Sequence, residues 1–132
     1  MKRVEFDRLV ADAVAAIPQG FRDAMHNIVI VVEDEPSREL LREMEIEPPD
    51  SLFGLYQGTP LTQRSWDYGN TLPDRILLFQ KPHERAAADE DDLVDAIAET
   101  LIHEIGHYFG MSEEEIADIE ERYWRGSGGR DE

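Results

Sequence analysis

The chain has 132 residues, 41% of them hydrophobic and 33% charged, with a net charge of −17 and no cysteine. That length suits one domain around a single core, and the balance of residues is that of a globular chain, not a disordered one. The charge argues against nucleic acid and anionic membranes as partners, and the absence of cysteine excludes disulfides and thiolate metal sites.

The opening "MKRVEFDRLVADAVAAIPQGF" is broken by Glu5, Asp7, Arg8 and Asp12, unlike the apolar stretch of a signal peptide. No apolar run reaches the length of a membrane span, so a soluble cytoplasmic protein is the expectation. Phe6, Leu9, Val10, Ala13 and Ile17 recur at helical spacing, and Pro18 and Gly20 mark the end of that helix. The β-branched run from Asn27 to Glu33 reads as a buried strand. Pro36 opens a short helix with Leu40, Leu41 and Met44 inward, closed before Pro48 and Pro49. "LFGLYQG" is a second strand, and "TPLTQRSWDYGNTLPD" is a loop or loose hairpin rich in turn residues. Arg75 to Pro82 is a third strand, with Pro82 suited to the end of an edge strand.

A long helix is expected from about Glu90 to Phe109. Asp89, Glu90, Asp91 and Asp92 put negative charge at its N-terminus, where the helix dipole favours it. Val94, Ile97, Ala98, Leu101, Ile105 and Tyr108 line one face, and Gly110 ends the helix. A last helix starts after Ser112 with Ile116, Ile119 and Tyr123 inward. The expected organisation is one domain over 1–125 and a flexible tail over 126–132.

"HEIGH" (His103 to His107) falls on the long helix, with both histidines turned away from its core face. Residues four apart lie one turn above each other, so two imidazoles can converge on one zinc ion. Glu104 is displaced about 100° around the helix, where its carboxylate reaches a metal-bound water as general base. The competing explanation is an acidic helix with two surface histidines. A catalytic zinc takes a third protein ligand. Glu113, ten positions after His103 and beyond the glycine break, stands where metzincin-type motifs place their last histidine. Glu113 also fits a plain capping role, because Ser112 and Glu115 form an S-x-x-E capping box; Glu114 and Glu115 are the reserve ligands.

Those residues, together with "GLYQGTPLTQR" and "LPDRILLFQKPHER", resemble the small bacterial zincin-like metallopeptidases over about Phe21 to Tyr123. The resemblance implies an α+β minimal zincin-like fold, a small mixed sheet packed on helices with a central active-site helix. It implies Zn2+ held by His103, His107 and an acidic residue matching Glu113, with Glu104 as catalytic base. It also implies a peptide or protein substrate pairing with an edge strand just before the active-site helix, which matches Arg75 to Gln80. The family pattern favours aspartate at the position of Glu113, and no methionine follows for a Met-turn; Met111 reads as a packing residue.

Other polar residues draw structural readings. His83 and Tyr123 are residue types able to polarise a scissile carbonyl or hold an oxyanion, but read more simply as an exposed histidine and a packed tyrosine. His26 reads as structural or exposed. Arg64 and Arg75 are expected to anchor the loop to carboxylates. The leading expectation is a zinc-dependent peptidase. The alternatives are a non-catalytic zinc-binding acidic interaction module and, less compatible with paired histidines, a calcium or magnesium binder.

Overall fold

The computed structural model describes residues 1–25, 28–47, 50–58 and 74–126. The chain opens with α1 (Arg3–Ala16), which buries Phe6, Leu9, Val10 and Ala13 as their spacing requires. Ile17, just past its end, is buried too. Gly20 does not prolong the break after Pro18. It lies inside a second short helix, α2 (Gln19–Ala24), with Pro18 at its N-cap, where the missing N–H costs nothing.

Three strands form one mixed sheet in the order β1-β3-β2. β1 (Ile28–Glu33) runs parallel to β3 (Asp74–Phe79), and β2 (Gly54–Gln57) runs antiparallel to it. Two expectations are corrected here. β1 is an edge strand and only partly buried, with Val29 44% exposed. β3, expected at the edge, is the central strand, and its backbone is paired on both sides. The continuous apolar run "ILLF" is the reason. Ile76, Leu77, Leu78 and Phe79 are all buried, as in a strand covered on both faces.

The third strand is also shorter than expected. The chain turns into α4 (Gln80–Ala86) immediately after Phe79, and Pro82 sits in the first turn of that helix. First-turn N–H groups have no intrahelical acceptor, so proline is tolerated there. α3 (Arg38–Glu43) is capped by Ser37, whose Oγ accepts from the Leu40 N–H at 3.0 Å. None of its residues is buried, and Met44, expected inward, is 43% exposed.

α5 (Glu90–Tyr108) is the hub, touching α1, α4, β2, β3 and α6 (Glu113–Gly126). It starts at Asp89, whose carboxylate accepts from the Asp92 N–H at 2.8 Å. Ile97, Ala98, Leu101, Ile102 and Ile105 are fully covered. Ile102 extends the expected apolar stripe, so the middle of α5 is buried around most of its circumference. Burying each of the isoleucine and leucine side chains among them stabilises the fold by roughly 1.5–3 kcal/mol. Among the described residues, no helix is long and apolar enough to cross a membrane.

Candidate active site

α5 ends as its residues require. Phe109 caps it, and Gly110 follows with φ +71°, a left-handed conformation that glycine adopts without strain. The chain then reverses into α6, where the capping box forms in both directions. The Ser112 N–H donates to Glu115 Oε1 at 2.8 Å, and the Glu115 N–H donates to Ser112 Oγ at 3.1 Å. Ile116 and Ile119 fix the helix to the core. This turn carries Glu113 back over the two histidines.

His103 and His107 lie off the core face, with side chains 36% and 43% exposed and ring centroids 4.7 Å apart. Glu113 Oε2 stands 3.6 Å from Nε2 of His103 and 3.6 Å from Nε2 of His107. A tetrahedral zinc ion with bonds of about 2.1 Å separates its ligand atoms by about 3.4 Å. Each of the two Glu113 separations is close to that spacing.

Glu104 is the second carboxylate beside the histidines. His103, Glu104 and His107 offer ligand atoms that all lie within 4.8 Å of one another, a group able to hold a metal ion. Yet Glu104 meets these residues differently from Glu113. Its Oε1 accepts from the Tyr56 N–H at 2.7 Å and lies 3.9 Å from Nδ1 of His107. Glu113 instead approaches Nε2 of both rings. Burial raises the Glu104 carboxyl above its ordinary value; the Tyr56 N–H and the two histidines oppose that shift without cancelling it.

The strand that holds Glu104 is β2. Tyr56 is itself fastened, its hydroxyl donating to Asp74 Oδ2 at 2.5 Å and its ring edge-on to Tyr108 at 5.8 Å. Gly54 lets β2 approach α5. A Cβ there would stand 2.6 Å from Thr100 Cγ2 and 3.0 Å from the Leu77 carbonyl oxygen. Gly106 does the same for α6, since its Cβ would meet Ile116 at 2.6 and 2.7 Å. Sequence reading missed Tyr56, Gly54 and Gly106. A signal existed for Gly106, because a glycine inside a helix costs about 1 kcal/mol and implies a close neighbour.

The remaining candidates do not join the site. His83 is completely buried, contrary to the exposed position expected for it. It packs against Phe6 and Phe53, with Nδ1 2.8 Å from the Phe79 carbonyl oxygen and Nε2 2.9 Å from Thr100 Oγ1. A carbonyl only accepts, so Nδ1 carries the proton and the ring is walled off from any substrate. Burial lowers its pKa and keeps it neutral. Arg75 donates to Gln57 Oε1 at 2.6 Å, an amide in place of the expected carboxylate. Met111 is partly buried against the core, as a packing residue should be. His26, Asn27, Pro48, Pro49, Arg64 with most of its predicted loop, the Tyr123 side chain and tail residues 127–132 lie outside the described structure. Gly126, assigned to the tail from sequence, closes α6.

An H-E-x-x-H helix against a small mixed sheet, with a strand laid across its glutamate, defines a zincin-type fold. The family model for zincin-like metallopeptidases matches residues 25–123, and the chain belongs to that family. No curated protein sequence matches the chain.

Proposed function

We propose that the protein is a zinc-dependent peptidase in which His103, His107 and Glu113 hold the ion and Glu104 is the general base. The observation that carries the reading is the equal 3.6 Å approach of Glu113 Oε2 to both Nε2 atoms, while Glu104 Oε1 is engaged by the Tyr56 N–H. Zinc at that position supplies Lewis acidity, which makes water a nucleophile near neutral pH. The Tyr56 N–H fixes Glu104 Oε1, leaving Oε2 to take the proton of the attacking water and hand it to the departing amine. A carboxyl raised by burial suits that task, because a base is most effective when its pKa approaches the working pH.

The substrate is an extended peptide, and the edge it pairs with is β2. Among the described residues no strand lies on the outer side of β2. The Tyr56 N–H points away from β3 towards Glu104, and Gly54, two residues earlier, faces the same side. An added strand there pairs through Gly54, since the Tyr56 N–H is given to Glu104, and brings its backbone next to that carboxylate.

The test joins a metal count to an activity assay. Elemental mass spectrometry on dialysed, zinc-incubated protein should find close to one zinc per chain, and almost none in His107→Ala. Glu104→Gln should keep the zinc and lose about 10²–10⁴-fold of any hydrolysis of a peptide mixture. Hydrolysis undiminished in Glu104→Gln overturns the assignment of the base.

A further inference from the structure

A cleft of about 500 Å³ opens beside His103, Glu104 and His107. Its walls are of two kinds. Met44, Leu52, Phe53 and Leu55 make an apolar wall that runs from the end of α3 into β2. Glu99 and Glu120 bring carboxylates from α5 and α6. No lysine or arginine lines the cleft among the described residues.

Each wall makes its own demand. Met44 and Phe53 are 43% and 44% exposed, an apolar surface left uncovered beside the site. Glu120 follows the buried Ile119 and is itself partly buried, within electrostatic reach of His103 and Glu113. Burial raises its carboxyl above the ordinary value, so a cation placed beside it would restore what desolvation takes from the anion. A wholly apolar side chain would cover Phe53 and desolvate Glu120 further. An acidic side chain would meet like charge. A long basic side chain satisfies both walls, since its methylene stem is apolar and its tip is charged.

We propose that the substrate peptide presents a lysine or arginine side chain to this cleft, its stem against Phe53 and Leu52 and its cation at Glu120. The inference rests on the peptidase reading above and adds the side-chain preference of the same site. The net charge of −17 acts in the same direction at longer range, drawing basic segments towards the protein.

The probe is a set of capped pentapeptides, alanine at every position except the central one, which is lysine, arginine, norleucine or glutamate. Norleucine keeps the lysine stem and lacks the charge. Calorimetric titration into zinc-loaded Glu104→Gln protein should show lysine and arginine binding about tenfold tighter than norleucine, with glutamate weakest. Adding Glu120→Gln should bring lysine down to the norleucine affinity and leave norleucine where it was. Equal binding of norleucine and lysine, a lysine preference that survives Glu120→Gln, or no lysine binding at millimolar concentration overturns the proposal. The peptide series decides the matter alone if the double variant does not fold. Cleavage of the same peptides by the parent protein is read separately. Lysine-selective binding without cleavage supports the cleft assignment and removes the peptidase. Cleavage that favours norleucine removes the cleft assignment and keeps the peptidase.

Discussion

Glu104 and Glu113 stand beside the same two histidines, yet their side chains are 11% and 74% exposed. Glu104 sits near the C-terminal end of the hub helix, is roofed by β2 and is tied to a backbone N–H 48 residues away. Glu113 sits in the first turn of α6 and is aimed by local devices: the left-handed Gly110, the Ser112–Glu115 capping box and the seat of Ile116 against Gly106. One carboxylate is placed by long-range packing and the other by a turn. The difference suits the roles proposed for them. A base has to keep one oxygen free at a set angle, whereas a metal ligand can be drawn in by the ion it binds.

The widest separation between the two should come from Glu113→Ala. Losing a direct ligand should weaken zinc binding by more than the roughly 10–100-fold that an outer partner costs, measured by competition with a chelator. The fold should stay intact, because Glu113 buries little. Unchanged affinity would pass the role of third ligand to another carboxylate.

Gly106→Ala tests whether packing also reaches Glu113. The added methyl has to push Ile116 aside and should destabilise the protein by about 1–3 kcal/mol in denaturant melts. Because α6 carries Glu113, zinc affinity should fall too. Lost stability with full zinc affinity would show that the turn holds Glu113 without help from α6.

A pH series on metal-free protein addresses Glu104. Its carboxyl is raised in the folded state, so the folded protein holds the proton more firmly than the unfolded chain does. The stability this provides is full below the ordinary glutamate value and is lost as pH rises through the raised folded value. Glu104→Gln still accepts from the Tyr56 N–H and carries no charge. It should therefore melt higher than the parent at pH 7, with the gap closing towards pH 4. A gap that stays constant with pH would mean that burial of charge is not what raises Glu104.

The smallest effect belongs to Ser112→Ala. Removing one half of the capping box should cost about 1 kcal/mol of stability and only a slight loss of zinc affinity. A large loss of zinc would make the cap the main determinant of Glu113.

Much of this protein is legible in its order of residues. α1 and α5 follow from apolar spacing, because a helix buries one stripe and the stripe repeats every three or four residues. His103, Glu104 and His107 follow from local geometry along one helix, and the aim of Glu113 follows from a glycine break and a cap inside eleven residues. The residues of β3 are recognisable as a strand, but not as a central one, since "ILLF" carries no record of which strands lie beside it. His83 reads like any surface histidine, because Thr100 is brought to it by α4 packing on α5, and Phe6 and Phe53 reach its ring from elsewhere in the chain. What the sequence determines by itself is local: helices, caps, turns and the spacing of ligands on one face. Only the tertiary structure decides what long-range contacts decide: the order of the sheet, the strand that lies across Glu104, and the cleft that Glu120 lines together with Met44, Leu52, Phe53 and Leu55. These depend on groups distant in sequence meeting at distances of a few ångströms.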